Sequence, residues 1–464
     1  MKIDNRKFNL KSSQNGKLIS LGKLYNFSNK ETIVYATSVV IIFFIKYLFL
    51  NNYLTKSNFK TPDSLEYLQA AANFKETYFG IDPNFTQLSL TRLPGYPFFI
   101  SLFDSHRTII LVQVLMQCSI GIVLVVMFKM ISLKRLPKIC FMLFILTQID
   151  SSLSVYSYRL LSETLFSFML LLLIAIIAKR LNNNRKIALD AFITVLILVC
   201  FLIRPVAIYF LFIFLIMIFI STKKTLFINL FMITIIVYGS YCGFNYYKNN
   251  IAVYTLIQNS NLLFYEGAGA KAISSSRPLE SIQTQEEILR RAVIGPKATL
   301  EEVNSYNLKR GIKLIYENKY SFIKMHLIGS FKLLYGPNRA ELRQIFTDSG
   351  RNDIPESLWA VIFSIYFGLT FVISTLGVIG CLKYFFINDT FKLISLTIFV
   401  FIALTSSSLA YGRFRTPISA LLIFYAVLFV INWKDKRPIF FKWHKFTKKF
   451  KSIASKHPNF KNTR

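Results

Sequence analysis

Stretches of about 20 apolar residues recur along the chain, each long enough for a helix to cross the roughly 30 Å hydrocarbon layer of a bilayer. They fall at residues 32–50, 108–128, 139–156, 160–178, 187–203, 206–220, 226–247, 359–386, 391–409 and 416–433. None shows the two-residue alternation of a membrane strand. A backbone in lipid must satisfy its own hydrogen bonds, so long unbroken apolar runs become helices. The pattern predicts an all-α polytopic membrane protein of about ten transmembrane helices. Composition agrees: 53% of the residues are hydrophobic and 46 are Phe, above the usual apolar share of a soluble domain. Gln148 and Asp150 make 139–156 the weakest span.

Charge orients the helices. The chain carries 55 Lys and Arg against 23 Asp and Glu, a net +32. In a soluble protein that balance would suggest nucleic acid, but the basic residues crowd into an N-terminal arm (Lys2, Arg6, Lys7, Lys11, Lys17, Lys23, Lys30), alternate short turns and a C-terminal tail. Cytoplasmic segments of membrane proteins show this bias. It predicts a multi-pass protein of the plasma membrane with both termini cytoplasmic and no nucleic-acid partner. Membrane lipids are the expected partner of the tail, at about 1 kcal/mol per basic residue near an anionic surface.

The resulting order is a basic cytoplasmic arm (1–30), a transmembrane core (31–247) whose first external loop is 51–107, an outer-face region (248–356), C-terminal transmembrane helices (357–433) and a basic cytoplasmic tail (434–464). The outer region is too long for an ordinary loop. Helices are expected there at 286–293 and 299–316, the second opened by a capping box of Thr299 and Glu302. The more apolar stretch 320–335 suits the membrane interface. About 30 polar residues precede the first apolar segment, which has no small-residue cleavage site and so is expected to remain as an anchor. Cys118, Cys140, Cys200, Cys242 and Cys381 lie in or beside apolar segments without paired spacing, which reads as packing. The four histidines form no i, i+4 pair.

Chemistry concentrates in the first external loop. Thr61-Pro62-Asp63-Ser64-Leu65-Glu66-Tyr67 opens a short helix, and Arg92-Leu93-Pro94-Gly95-Tyr96-Pro97 forms a tight turn that fixes an arginine near the interface. Asp63 has two readings: a helix N-cap with Glu66 completing a capping box, or a base. Elsewhere Asp150, Glu163, Arg204, Arg413 and Arg415 sit in or at the ends of spans, where a charge at the bilayer centre costs about 2.5–3.5 kcal/mol. Each has a structural explanation. Glu163 can pair with Arg159 one turn earlier, Arg204 can snorkel, and Arg413 and Arg415 can be interfacial anchors. These explanations do not account for acids and arginines from four external segments meeting in one leaflet. A shared site suits an anionic lipid phosphate, with arginines holding its oxygens and a carboxylate accepting a proton from an attacking hydroxyl. If the phosphate carries a sugar, the arginines also stabilise the leaving group. Nucleotide sugars are absent outside the cytoplasm, so the donor is expected to be lipid-linked.

Asp63-Ser64 with Tyr67 and Ala70, the Arg92-Leu93-Pro94-Gly95-Tyr96-Pro97 turn, Ser162-Glu163-Thr164, Arg204-Pro205 and Tyr411-Gly412-Arg413-Phe414-Arg415-Thr416-Pro417 together resemble the polytopic glycosyltransferases of the GT-C fold. The likeness is nearest to the bacterial branch related to protein mannosyltransferases and the aminoarabinose transferase of lipid A. It covers about residues 31–245 and 405–430. The resemblance implies a polyprenyl-phosphate sugar donor, inversion, a catalytic aspartate at Asp63, and an acceptor hydroxyl on lipid, glycan or protein. Arg92, Arg204, Arg413 and Arg415 are the expected donor-phosphate ligands. Many members carry a second acid directly after the aspartate. Here Ser64 takes that place, leaving Glu66 and Glu163 as substitutes and leaving open both the metal and any divalent cofactor. Two other functions compete: a transporter of lipid-linked oligosaccharide, and a polymerase of such units. Transporters use repeats and helices broken at the midplane, whereas these charges sit at outer ends.

Overall fold

The computed structural model describes residues 29–53, 60–77, 92–131, 137–182, 187–210, 214, 224–252, 254–336, 342–343, 355–408, 410 and 412–433. Every regular element among them is helical. The order is α1 (Asn29–Tyr53), α2 (Pro62–Thr77), α3 (Gly95–Ser101), α4 (His106–Ile131), α5 (Pro137–Ile149), α6 (Ser151–Ser157), α7 (Glu163–Asn182), α8 (Ile187–Ile203) and α9 (Lys224–Asn249). Then come α10 (Ile257–Asn261), a π-helical turn (Leu262–Gly267), α11 (Ala268–Ser275), α12 (Leu279–Ile294), α13 (Leu300–Glu317), α14 (Lys319–Tyr335), α15 (Glu356–Tyr384), α16 (Asp389–Thr405) and α17 (Gly412–Ile431). The chain divides into residues 1–41, of which only the first turns of α1 are described, and residues 42–464, which hold everything considered below.

The membrane class is supported and the span count is coarser than expected. Among the described residues four helices are long and apolar enough to cross a bilayer: His106–Met130, Glu163–Leu181, Glu356–Tyr384 and Gly412–Ile431. A fifth appears if α5 and α6 count as one broken span, and 36–51 and 188–203 are shorter apolar helices. The basic arm as far as residue 28, the tail and most of the span expected at 206–220 lie outside the described residues. Apolar side chains such as Val361, Ile365, Phe371 and Val372 on α15 are exposed, a surface that suits lipid tails.

The core is built on α17, in which residues 415–429 are all buried. It packs on α15, α7, α6 and α5. Small residues allow the closest of these contacts: a Cβ on Gly377 would approach Leu422 O to 2.7 Å, and one on Gly380 would approach Tyr425 O to 2.5 Å. Close backbone approach through glycine is a general device of membrane helix pairs. The weak span at 139–156 is broken rather than continuous. Asp150 leaves the helix, its Oδ1 accepts from the Leu153 N–H at 2.9 Å, and α6 starts at 56° to α5. An aspartate that caps a new helix thus relieves the cost of burying itself mid-span. Lys46 on α1, not singled out from the sequence, is likewise provided for: it donates to Gln117 Oε1 on α4.

Within residues 248–356, α12 and α13 extend the two helices expected at 286–293 and 299–316, and the Thr299–Glu302 capping box is present. The stretch expected to lie in the interface forms α14, whose Met325, Gly329 and Leu333 are buried against neighbouring helices. It packs on α11, α15, α16 and α17.

Candidate functional site

The segments that build the site are brought together by local features of their own sequence. The α8 helix ends at Ile203 because Pro205 disfavours helical backbone before it. The Arg92–Gly95 turn then fits directly against that end, since a Cβ on Gly95 would lie 2.7 Å from Leu202 C and O. Before α7, residues 158–162 form an irregular turn. The α2 helix docks on it: Ser64 Oγ donates to Leu160 O at 2.9 Å, and Tyr67 OH lies 3.3 Å from Ser162 Oγ. On α17, Pro417 has no N–H for the Arg413 carbonyl, and Thr416 Oγ1 donates to that oxygen instead at 2.7 Å. The first turn bearing Arg413 is thereby preserved.

These elements bring six of the seven expected site residues together. Asp63 Oδ1 meets Arg92 Nη2 at 2.7 Å, and Asp63 Oδ2 meets Arg413 Nη1 at 2.7 Å. Arg413 Nε continues to Glu163 Oε1 at 2.5 Å, and Arg204 Nη1 reaches the same oxygen at 3.0 Å. Arg92 Nε holds Glu66 Oε2 at 2.7 Å, and its guanidinium stands 5.1 Å from the Tyr67 ring centroid. Asp63, Glu66 and Glu163 thus balance Arg92, Arg204 and Arg413. A partly buried cluster of this kind is tenable because each charge has an opposite neighbour. Accessibility is graded: the side chains of Glu66 and Asp63 are 49% and 29% exposed, and that of Glu163 is fully buried. Glu163 Oε2 has no hydrogen-bond partner.

The seventh residue lies apart. Arg415 is 1% exposed, and its guanidinium donates to Leu334 O at 2.8 Å and Ser152 Oγ at 2.8 Å. It ties α14 and α6 to α17 and has no contact with the acid–arginine cluster. The pairing of Glu163 with Arg159 is not made: Glu163 goes to Arg413 and Arg204.

Nor does Asp63 cap α2. Thr61 does so, its Oγ1 accepting from the Ser64 N–H at 3.2 Å while Ser64 Oγ accepts from the Thr61 N–H at 3.0 Å. The Asp63 carboxylate is therefore free to face the arginines. Burial alone would raise its pKa, but Arg413 and Arg92 outweigh that and hold it below the usual carboxylate range. Thr61 and Ser64 were legible as a cap, being a hydroxyl pair three residues apart before an apolar run. Gln113 carried no such signal. It is buried on α4, where it accepts from Tyr96 OH at 2.7 Å and donates to Arg159 O at 2.6 Å, joining the Arg92 turn to the turn before α7.

Among the described residues no three His, Cys, Asp or Glu side chains group to hold a metal. The three acids of the cluster are each compensated by guanidiniums. Comparison with protein-family models, curated proteins and solved structures finds no match for this chain.

Proposed function

We propose that this protein is a membrane glycosyltransferase that moves a sugar from a polyprenyl-phosphate donor to an acceptor hydroxyl on the outer face of the plasma membrane. The observation that carries this reading is the Asp63 carboxylate, accessible at a helix start and held between Arg92 and Arg413. Acid and phosphate-binding groups stand side by side there. Asp63 takes the proton of the acceptor hydroxyl as its oxygen attacks the sugar C1. The bond from C1 to the phosphate oxygen breaks from the opposite face, so the product is inverted. Arg92, Arg204 and Arg413 carry the phosphate charge that develops on the leaving lipid. Glu163, being buried, orients Arg204 and Arg413 and does not itself move a proton.

The charge balance adds a condition. Both Asp63 oxygens are occupied by guanidiniums, so a donor phosphate has to compete with Asp63 for Arg92 and Arg413. A guanidinium that turns to phosphate frees an Asp63 oxygen and makes it a better base.

We place the cluster at the outer ends of about ten spans, with both termini cytoplasmic and 248–356 on the same outer side. In support, the cluster residues occur in a loop helix or at helix ends, not mid-helix. That arrangement favours an enzyme over a transporter of lipid-linked oligosaccharide, for which a midplane site is expected, and the position of Asp63 in the loop after the first span speaks against a polymerase of such units. Supplying membranes that contain the protein with a panel of polyprenyl-phosphate sugars tests this. Labelled sugar should move covalently to an acceptor, whereas unaltered lipid-linked sugar crossing the bilayer would indicate the transporter.

A further inference from the structure

Between α10, α12 and α13 lies a cavity of about 200 Å³, lined by Leu256, Ile257, Ser260, Arg290, Val303, Asn304 and Asn307. Its volume lies below the range of about 300–1,000 Å³ typical of larger ligands. Room for one sugar ring is what such a space offers.

The polar groups around it are built in and incompletely used. Asn307 is 4% exposed, and its Oδ1 has no hydrogen-bond partner. Buried polar atoms are nearly always paired, so the unpaired Asn307 oxygen in the lining marks a place where a ligand or water completes the bonding. Asn304 spends its Oδ1 on Asn259 Nδ2 at 2.8 Å, leaving its own amide donors available. Charge is compensated: Arg290 is held by Glu287 at 2.7 Å, and its guanidinium stands 5.4 Å from the Phe264 ring centroid. The lining contains no carboxylate to attract a cation, and the one arginine is already neutralised. Two amides, a hydroxyl and a guanidinium facing Leu256, Ile257 and Val303 suit a ligand with hydrogen-bonding edges and an apolar C–H face.

The cavity is also tied to the cluster. The π-helical turn following α10 presents Tyr265 O to Ser408 Oγ at 2.6 Å, and residue 408 belongs to the connection that delivers Arg413. Wide π-helical turns of this sort recur at functional sites.

We infer that this cavity binds one neutral sugar residue of the acceptor, an acceptor subsite that rests on the glycosyltransferase reading. Its test needs no donor. Full-length protein in lipid nanodiscs is probed by saturation-transfer NMR with free neutral hexoses and N-acetylhexosamines. At least one should give a signal that weakens tenfold or more in Val303→Trp, which fills the cavity, and in Asn304→Ala, which removes an amide. Gln69→Ala, at an exposed position outside the lining, should leave the signal unchanged. Thermal unfolding identifies a variant that fails to fold; if Val303→Trp does so, Asn304→Ala decides. Signal from no sugar, or equal signal in the folded variants, overturns the subsite. Sugar binding without transfer from any donor would uphold the subsite while removing the glycosyltransferase reading. Transfer to a saccharide acceptor with an unchanged KM in Val303→Trp would do the reverse.

Discussion

Asp63 and Glu163 are both ion-paired carboxylates, yet they differ in what their loss should do. The Asp63 pKa is depressed in the folded protein by Arg413 and Arg92 against the effect of burial. A depressed acid contributes stability that is fully present above its unfolded value, near 3.9, and is lost as pH falls through the lower folded value. The Asp63 contribution to unfolding stability should therefore be flat from about pH 5 to 8 and should decline below about pH 4, as comparison of wild type with Asp63→Asn across that range will show. Glu163 is fully buried and serves two arginines. Its replacement by Gln leaves Arg204 without a counter-charge and Arg413 with Asp63 alone, and should cost about 3–5 kcal/mol. Glu66→Gln, at a half-exposed carboxylate, should cost no more than about 1 kcal/mol. Chemical denaturation of the two variants checks the contrast, and equal losses would mean that Glu163 is not the anchor of the cluster.

At the scale of elements, the pairing of α15 with α17 depends on glycine. A side chain at Gly380 meets the Tyr425 carbonyl, which a backbone cannot easily yield, so Gly380→Val should lower stability by about 1–3 kcal/mol through overpacking. A midpoint equal to wild type in thermal unfolding would show that these helices separate freely. The elements also mark how far the sequence could be read. Apolar run length located α4, α7, α15 and α17 because lipid-facing and core-facing residues are alike apolar in a membrane helix. The same likeness hid the break at Asp150, where one capping hydrogen bond overrides an otherwise continuous run. Short polar motifs gave six members of the cluster, but Arg413 and Arg415 are chemically identical in sequence. Only the helical turn separates the one that faces Asp63 from the one that faces Leu334 O. Likewise Asp63 reads as a cap in the sequence, whereas the local bonds between Thr61 and Ser64 cap α2 in its place.

For the whole molecule, the central claim is that segments far apart in the chain assemble one outward-facing catalytic centre. Orientation is checked first. Single cysteines at the exposed Gln69 and Gln285, in a background free of the five native cysteines, should both react with a membrane-impermeant reagent from the same, outer side. Labelling from opposite sides would remove the shared site. The most direct measurement is the single-turnover transfer rate of Asp63→Asn beside wild type, with donor saturating and folding verified by thermal unfolding. Thr61 and Ser64 retain the cap of α2, while Glu66 and Glu163 retain Arg92 and Arg413, so the variant should fold. An amide cannot take the acceptor proton, and the rate should fall by at least about 100-fold, the usual contribution of a general base. Transfer by folded Asp63→Asn at close to the wild-type rate would contradict the assignment of Asp63 as the base.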